Sequence, residues 1–278
     1  MSLIRRLPAT VTALVLLAAC GDSSGPLDND EVDEIGAALR DEVEAASVAF
    51  TVFGATLGLP LCVGGSGEGS SDPDIVPDSV LFVFSVPPCG YNNVRDGRLE
   101  LSGEVEILDP IPDAAGFDYL ARLANLGYRY VSLDISGNYT VIRNGTRMRT
   151  GTEQALSQNV NLDVRRTLAV EVVTVRESWT VSLTPSGGAV LATDESIPDA
   201  SITIDGTFEY SRSGQQYSLD VTTPTPLTYD AGCDDTQQRI RAGELRATGT
   251  FEGQDGYVQL IWNDCGDAPD IRFVATGG

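Results

Sequence analysis

The stretch Ile202-Thr203-Ile204-Asp205-Gly206-Thr207-Phe208-Glu209-Tyr210 places apolar residues or glycine at every second position and polar residues between them. Successive side chains of a β-strand point to opposite faces of a sheet, so this alternation predicts a strand with one dry and one solvated face. The chain is therefore predicted to be mainly β, with an antiparallel sheet. The same pattern, or a less regular form of it, occurs in seven further stretches: 99–107, 131–141, 159–184, 217–222, 245–251, 257–262 and 270–275.

Each of the four most regular stretches carries one glycine on its apolar face: Gly103, Gly137, Gly206 and Gly249. A glycine inside a strand weakens packing and costs backbone entropy, but it lets a sheet bend sharply. These structural glycines predict a strongly curved sheet and leave a half-barrel, a barrel and a sandwich open. Chance is the competing explanation, because glycine makes up 29 of the 278 residues.

Turns and connections are also visible in the sequence. The dipeptides Asn144-Gly145, Ser213-Gly214 and Asp255-Gly256 are typical of two-residue hairpin turns. Residues 63–79 are rich in Gly, Ser, Asp and Pro, which predicts a loop. Residues 114–126 fit either a short helix or an irregular crossover.

One amphipathic helix is predicted before the strands. Apolar residues recur every three or four positions from Val32 to Leu57, which is the helical period. The spacing predicts a helix over residues 31–57 that ends near Gly58-Leu59-Pro60 and packs on one face of the sheet. A membrane-surface helix is the alternative, but its polar face is acidic, and anionic lipids would repel it.

The charged residues exclude several classes of function. The chain has 18 Arg, no Lys and no His against 40 Asp plus Glu, which gives a formal charge of −22. Without His there is no Ser-His-Asp or Cys-His catalysis and no His-ligated zinc, and without Lys there is no Schiff-base or P-loop chemistry. The acidic charge argues against a nucleic-acid partner, because binding phosphates requires clustered cations. We expect no cofactor and no catalytic residue set.

The amino terminus has the pattern of an exported protein. Arg5 and Arg6 precede an apolar run over residues 11–19, which is too short to span a bilayer and is typical of a signal peptide. The run ends in Leu17-Ala18-Ala19-Cys20, which resembles the lipobox of bacterial lipoproteins. The resemblance implies that residues 1–19 are removed, that Cys20 carries a diacylglyceryl thioether and that the new amino terminus is acylated. An ordinary cleaved signal with an incidental Cys20 is the alternative.

The lipoprotein resemblance also implies a location. In that family an Asp directly after the cysteine often retains the protein in the inner membrane, and here that position is Gly21. The resemblance therefore implies a lipid-anchored protein of the bacterial cell envelope, attached to the outer membrane through Cys20. We expect a lipidated tether over residues 20–30, a helical segment over 31–60 and a single antiparallel β domain over 61–278.

Four cysteines remain besides Cys20. An even number of cysteines in an exported protein indicates disulfides, and four cysteines allow three pairings. We favour the local pairs Cys62–Cys89 and Cys233–Cys265, each of which closes a loop of moderate length. The spacing contains no C-x-x-C pair, so a metal site at these cysteines is not expected.

Other candidate ligand sites are weak. Two acidic runs supply oxygen ligands of the kind calcium prefers, although neither matches the EF-hand pattern, and we expect no metal site. The aromatic residues Trp179, Trp262, Tyr210 and Tyr217 fit a ligand cleft or, more commonly, a core. The members of the two acidic runs are Asp28, Asp30, Asp33 and Glu34, and Asp264, Asp267 and Asp270.

Three hypotheses for the function remain. The first is a non-enzymatic, lipid-anchored envelope protein that binds a partner protein or has a structural role. The second is a carrier of an apolar ligand or lipid in a curved-sheet cavity, which resembles in outline only the half-barrel carriers that localise lipoproteins. The third is a hydrolase that uses carboxylates alone, which would need a carboxylate pair in a cleft with a raised pKa.

Overall fold

The computed structural model of the chain describes residues 29–49, 63–68, 78–94, 97–112, 116–132, 139–168, 171–191, 197–233 and 239–276. Within these ranges lie one helix and twelve strands. In chain order they are α1 (Asn29–Ala49), β1 (Val63–Glu68), β2 (Ser79–Val94), β3 (Gly97–Leu108), β4 (Tyr119–Ser132), β5 (Tyr139–Thr152), β6 (Ala155–Leu168), β7 (Glu171–Pro185), β8 (Ala200–Arg212), β9 (Gln215–Tyr229), β10 (Ile240–Phe251), β11 (Gln254–Trp262) and β12 (Asp270–Ala275).

The strands form one sheet in which each strand pairs antiparallel with the next one along the chain. The mainly β, antiparallel prediction is therefore confirmed. Strands β1 and β12 are the two edges, and among the described residues they do not pair with each other. The sheet is open, so the closed barrel and the two-sheet sandwich are not what forms. Strong curvature does not follow from the strand order and stays a prediction.

Helix α1 packs on one face of this sheet, as predicted, and we call that face the inner face. Ile35, Leu39 and Val43 are buried in the same hydrophobic core as the inner-face residues of β5 to β11. The even-numbered residues of β8 from Ile202 to Tyr210 point to this core, as their alternation predicts. On the far side of the core, Gly36 lies directly against Ile271 of β12, with no room for a Cβ.

The observed helix begins at Asn29, two residues before the predicted start. Its first turn carries Asp30 and Glu31, which interact favourably with the positive end of the helix dipole. The predicted continuation beyond Ala49 and the end near Gly58-Leu59-Pro60 lie outside the described residues. In the part of the chain that the structure describes, no helix is both long and apolar enough to cross a bilayer.

One of the three predicted hairpin turns is confirmed. Ser213 and Gly214 join β8 to β9 with φ angles of 51° and 92°. Two positive φ angles in succession are those of the turn that matches the right-handed twist of paired strands. The turn between β10 and β11 has the same geometry, but it is formed by Glu252 and Gly253, with φ angles of 48° and 85°.

The other two turn predictions are wrong. Asp255-Gly256 lies inside β11, where Asp255 accepts a hydrogen bond from the Thr250 hydroxyl across the hairpin at 2.6 Å. Asn144-Gly145 lies in the middle of β5, where the Asn144 side chain accepts a hydrogen bond at 2.7 Å from the Asn125 backbone. Asn125 has φ 50° at an irregularity in β4, so the asparagine side chain satisfies a bulge in the neighbouring strand.

Three element predictions also need correction. The predicted loop over 63–79 contains strand β1, whose small residues still pair with β2. Residues 119–126 are neither helix nor crossover but the first part of β4, because their inward and outward residues alternate in register with β3. The stretch 131–141 is not one strand, since it includes the end of β4 and the start of β5, which are antiparallel partners.

The structural glycines occupy distinct positions. Gly206 pairs with Trp179 of β7, and a Cβ there would strike the Trp179 backbone, so this glycine allows the two strands to approach closely. Gly103 adopts φ 91° against the irregular part of β4. Gly249 faces Gly256 of β11 in an ordinary strand conformation. Gly137 lies outside the described residues.

Candidate functional site

The inner face contains a group of buried charges that is unusual for a hydrophobic core. Glu42 follows Ile35 by seven residues, so it lies on the buried face of α1 and is 0% exposed. Arg143 of β5 donates from Nη2 to both Glu42 carboxylate oxygens, at 3.3 and 3.0 Å. Arg166 of β6 also donates to Glu42, and its other terminal nitrogen donates to Asp41 at 2.6 Å. Two guanidinium groups thus hold one helix carboxylate against the sheet.

A second buried carboxyl group lies beside this ion pair. Glu177 occupies an inner-face position of β7 between Val175 and Trp179, and it is 0% exposed. Neither of its carboxyl oxygens receives a hydrogen bond from a described protein donor. We call Glu42, Arg143, Arg166 and Glu177 the carboxyl cluster.

The two carboxyl groups of this cluster have opposite pKa shifts. Burial alone would raise the pKa of Glu42, but the charges of Arg143 and Arg166 outweigh it and hold that pKa at about 2. For Glu177, burial and then the negative charge of Glu42 both raise the pKa well above 4.5. The raised pKa favours a protonated, neutral Glu177, which removes the repulsion that a second negative charge beside Glu42 would cause.

Strand β5 lines the inner face with arginines. Arg143, Arg147 and Arg149 all lie on the same face as Val141, since their partners on β6 include Val160 and Val164. The Arg143 guanidinium lies 5.3 Å from the centre of the Tyr128 ring. That of Arg149 lies 4.5 Å from the centre of the Tyr119 ring, and its Nε donates to the Phe117 carbonyl oxygen at 2.7 Å. Aromatic faces therefore stabilise two of these cations.

Arg147 differs from its neighbours on β5. Its buried Nε has no hydrogen-bond partner among the described residues, although the positive charge of Arg147 acts on the nearby carboxyl group of Glu177. Two further buried donors also lack an acceptor: Nε2 of Gln158, a residue that is 0% exposed, and Nε1 of Trp179, which is 3% exposed. We call Arg147, Gln158 and Trp179 the donor cluster.

The strand register places the donor cluster around one residue. Arg147 and Trp179 are the partners of Val160 on either side, and Gln158 precedes Val160 by two residues on the same face of β6. Neighbouring strands lie about 4.8 Å apart, so the backbones of Arg147 and Trp179 are roughly 10 Å apart across Val160. The three donors thus belong to neighbouring positions of β5, β6 and β7, on the same face of the sheet as Glu177.

The predicted cysteine sites are tested only in part. Cys233, which follows β9, is disulfide-bonded to Cys265 between β11 and β12, with a Cα–Cα distance of 6.0 Å, which confirms this local pair. Cys20 and Cys62 lie outside the described residues. Cys89 lies in β2, and its side chain is outside the description.

The other candidate ligands have structural roles. Among the described residues, no group of three or more Asp, Glu or Cys side chains is gathered in a way that would hold a metal ion. Glu34 instead forms an ion pair with Arg212 of β8, and Asp270 accepts a hydrogen bond from Asn263. The four aromatic residues proposed for a cleft are all buried in the core: Trp179, Trp262, Tyr210 and Tyr217.

Neither cluster was predicted from the sequence, although a signal for each is present there. Glu42 falls on the apolar face of the predicted helix, and Glu177 falls at an inward position among alternating valines. A charged residue at an apolar position of a regular pattern marks a buried charge that needs a partner. The arginines at 143, 147 and 149 share one strand face, but the false turn at Asn144-Gly145 divided them between two strands.

No protein-family model matches the chain, and no curated protein or solved structure matches it either.

Proposed function

We propose that the chain is a lipid-anchored, non-enzymatic binding protein of the bacterial cell envelope that binds its ligand at the inner face of the sheet. The donor cluster carries this proposal, because three buried donors without an acceptor among the described residues are costly unless a bound group supplies oxygen atoms. A binding role accounts for such a site more simply than a carboxylate hydrolase does. The carboxyl cluster contains a carboxyl pair, but both groups are fully buried, and one is held by two arginines.

The proposed strong curvature is supported by the two sides of α1. Glu34 forms an ion pair with Arg212 of β8, whereas Gly36 lies against Ile271 of β12. Residues two apart on a helix are rotated by about 200°, so they point to nearly opposite sides of it. A sheet that meets opposite sides of one helix is expected to be concave, as in a half-barrel.

A lipid on Cys20 would keep the sheet close to the membrane surface. Helix α1 begins nine residues after Cys20, and nine residues span at most about 30 Å. The acidic chain would be repelled by anionic headgroups, so the acyl chains would supply the attachment. Each buried methylene contributes about 0.8 kcal/mol, so several acyl chains hold the protein firmly.

The anchor is tested by replacing Cys20 with Ala and separating membrane and soluble fractions of cells that express the full chain. We expect the variant to leave the membrane fraction, whereas the neighbouring control Ser24→Ala stays in it. Retention of Cys20→Ala in the membrane fraction would show that the protein is not a lipoprotein of this type.

The carrier of an apolar ligand remains the second candidate, favoured by a smaller hydrophobic cluster at the other end of the sheet. The described part of α1 packs with the core residues of β5 to β11, so we place a cavity large enough for a lipid over β2 to β4. There Val80, Phe82 and Val105 are only half-buried. Native mass spectrometry of protein purified without added lipid tests this candidate, because a carrier retains an excess mass that denaturation releases as lipid.

A further inference from the structure

Helix α1 is joined to the inner face by side chains and takes no part in the strand pairing. The twelve strands pair with one another in sequence order, so undocking the helix breaks no strand pair among the described residues. Besides its apolar packing, the helix is held through its own carboxyl groups: Glu31 with the Tyr217 hydroxyl, Glu34 with Arg212, and Glu42 with Arg143 and Arg166. A change in side-chain charge at this interface can therefore alter the docking of the helix and leave the sheet intact.

Glu177 places a further carboxyl group on the sheet side of this interface. Charged side chains face it from α1 and β5, whereas its register partners on β6 and β8 are apolar. The charged residues are Glu42, Arg143 and Arg147, and the apolar partners are Leu162 and Phe208. Neither of the two arginines donates a hydrogen bond to Glu177. Of the three charges, Glu42 acts on Glu177 most strongly.

We propose that Glu177 and Glu42 compete for the arginines of β5, so that loss of the Glu177 proton releases α1 from the inner face. While Glu177 is protonated, Glu42 is the counterion of Arg143 and docks the helix. When Glu177 is ionised, two negative charges share one buried site, and release of α1 carries Glu42 into water. The ionised Glu177 then replaces Glu42 as the counterion of Arg143 and Arg147, which keeps these cations compensated.

The direction of the pH dependence follows from the two states of the helix. With α1 docked, burial and then the charge of Glu42 raise the pKa of Glu177 well above 4.5, and with α1 released that carboxyl group meets water and regains its ordinary pKa. Between these two pKa values, opening of the helix releases one proton. The equilibrium constant for opening therefore rises about tenfold per pH unit in this range and levels off above the docked pKa.

Amide hydrogen exchange of the full chain, purified in a mild nonionic detergent, measures this opening. The protection factor compares the observed exchange rate with that of an unstructured peptide, so it removes the ordinary pH dependence of exchange. From about pH 5.5 to about pH 8, we expect protection of the α1 amides to fall, by up to about tenfold per pH unit. In Glu177→Gln the same amides should keep constant protection, because the side chain has no proton to lose.

Two further variants separate this switch from a general loss of stability. Glu209→Gln on the outer face of β8 is the matched control, since that side chain is 47% exposed, and it should follow the wild-type profile. Arg147→Gln removes a cation that lowers the pKa of Glu177, so the fall in protection should continue to higher pH. This second variant and the wild-type profile keep the test decisive if Glu177→Gln does not fold.

Three results would overturn the proposal. Constant protection of α1 in the wild type would mean that Arg147 compensates the ionised Glu177 while the helix stays docked. An equal fall in Glu177→Gln would assign the pH dependence to another group. An equal fall in the peptides of β6 would indicate unfolding of the sheet and not release of the helix. The switch goes beyond the proposed binding function and does not depend on it, because the measurement requires no ligand.

Discussion

Glu42 and Glu177 make the stability of the fold respond to pH in opposite directions. The pKa of Glu42 is lowered from 4.5 to about 2, so its stabilisation is complete above about 4.5 and is lost as the pH falls towards 2. The pKa of Glu177 is raised above 4.5, so its contribution is complete below that value and is lost as the pH rises. Together the two groups favour a stability maximum near pH 4.5.

Glu177→Gln is therefore expected to stabilise the protein at neutral pH. The amide keeps the shape of the protonated acid and donates to Glu42, but it has no proton to lose. Urea unfolding at about pH 4.5 and about pH 7.5 measures the effect, because the wild type should lose stability between these values and the variant should lose less. Equal slopes in the two proteins would show that Glu177 does not titrate in this way.

Replacement of Gly206 by a larger residue should destabilise the fold. Its φ is 147°, and a Cβ would lie 2.5 Å from the Trp179 Cα, so a larger side chain has to displace β7. We expect Gly206→Val to destabilise the fold by about 1–3 kcal/mol through overpacking. Thr203→Val on the exposed face of β8 is the control, and denaturation of both variants gives the comparison. A cost no larger than that of Thr203→Val would contradict the close approach.

At the scale of elements, the alternation of apolar and polar residues predicted the strands better than dipeptide composition predicted the turns. This alternation located β3, β8, β10 and β12. Each strand buries one face, so the pattern is present in every such strand by itself. The turns were less predictable, since a dipeptide such as Asn144-Gly145 also suits a strand beside a bulge. Whether the dipeptide forms a turn or continues a strand depends on the neighbouring strand, and no local sequence signal contains that information.

The same limit explains the missed clusters. Each charge of the carboxyl cluster is visible in the sequence, but Glu42 and Arg143 are separated by 101 residues. Only the packing of α1 across β5 and β6 brings them together. A pattern can show that a charge is buried, whereas its partner is determined by tertiary structure.

Docking of α1 depends on the ion pair that Glu42 forms. Glu42→Gln leaves the buried Arg143 without its carboxylate and Arg166 with Asp41 alone, and breaking one side of a buried ion pair costs about 3–5 kcal/mol. We expect faster amide hydrogen exchange in α1 together with this loss, measured by mass spectrometry and urea unfolding. Asp33→Asn, at an exposed position of α1, is the control. A similar small effect in both variants would mean that the apolar face alone holds the helix.

At the scale of the whole molecule, the open meander leaves two edge strands. Unpaired edges can pair with other chains, and proteins commonly shorten or cover them. Strand β1 has six residues and so does β12, and both are shorter than every other strand of the sheet. The disulfide Cys233–Cys265 ties the segment after β9 to the turn before β12, which restrains the sheet near one edge.

The second disulfide is predicted to restrain the opposite edge. With Cys233 and Cys265 paired, and with Cys20 as the proposed site of the lipid, Cys62 and Cys89 are left for each other. In the sequence they lie next to β1 and within β2. Such local loops stabilise a fold by about 3–4 kcal/mol each, mainly by restricting the unfolded chain. Peptide mapping without reductant should find Cys62 linked to Cys89 and Cys233 linked to Cys265. A peptide that joins Cys89 to Cys265 would connect the two ends of the sheet and contradict the open strand order.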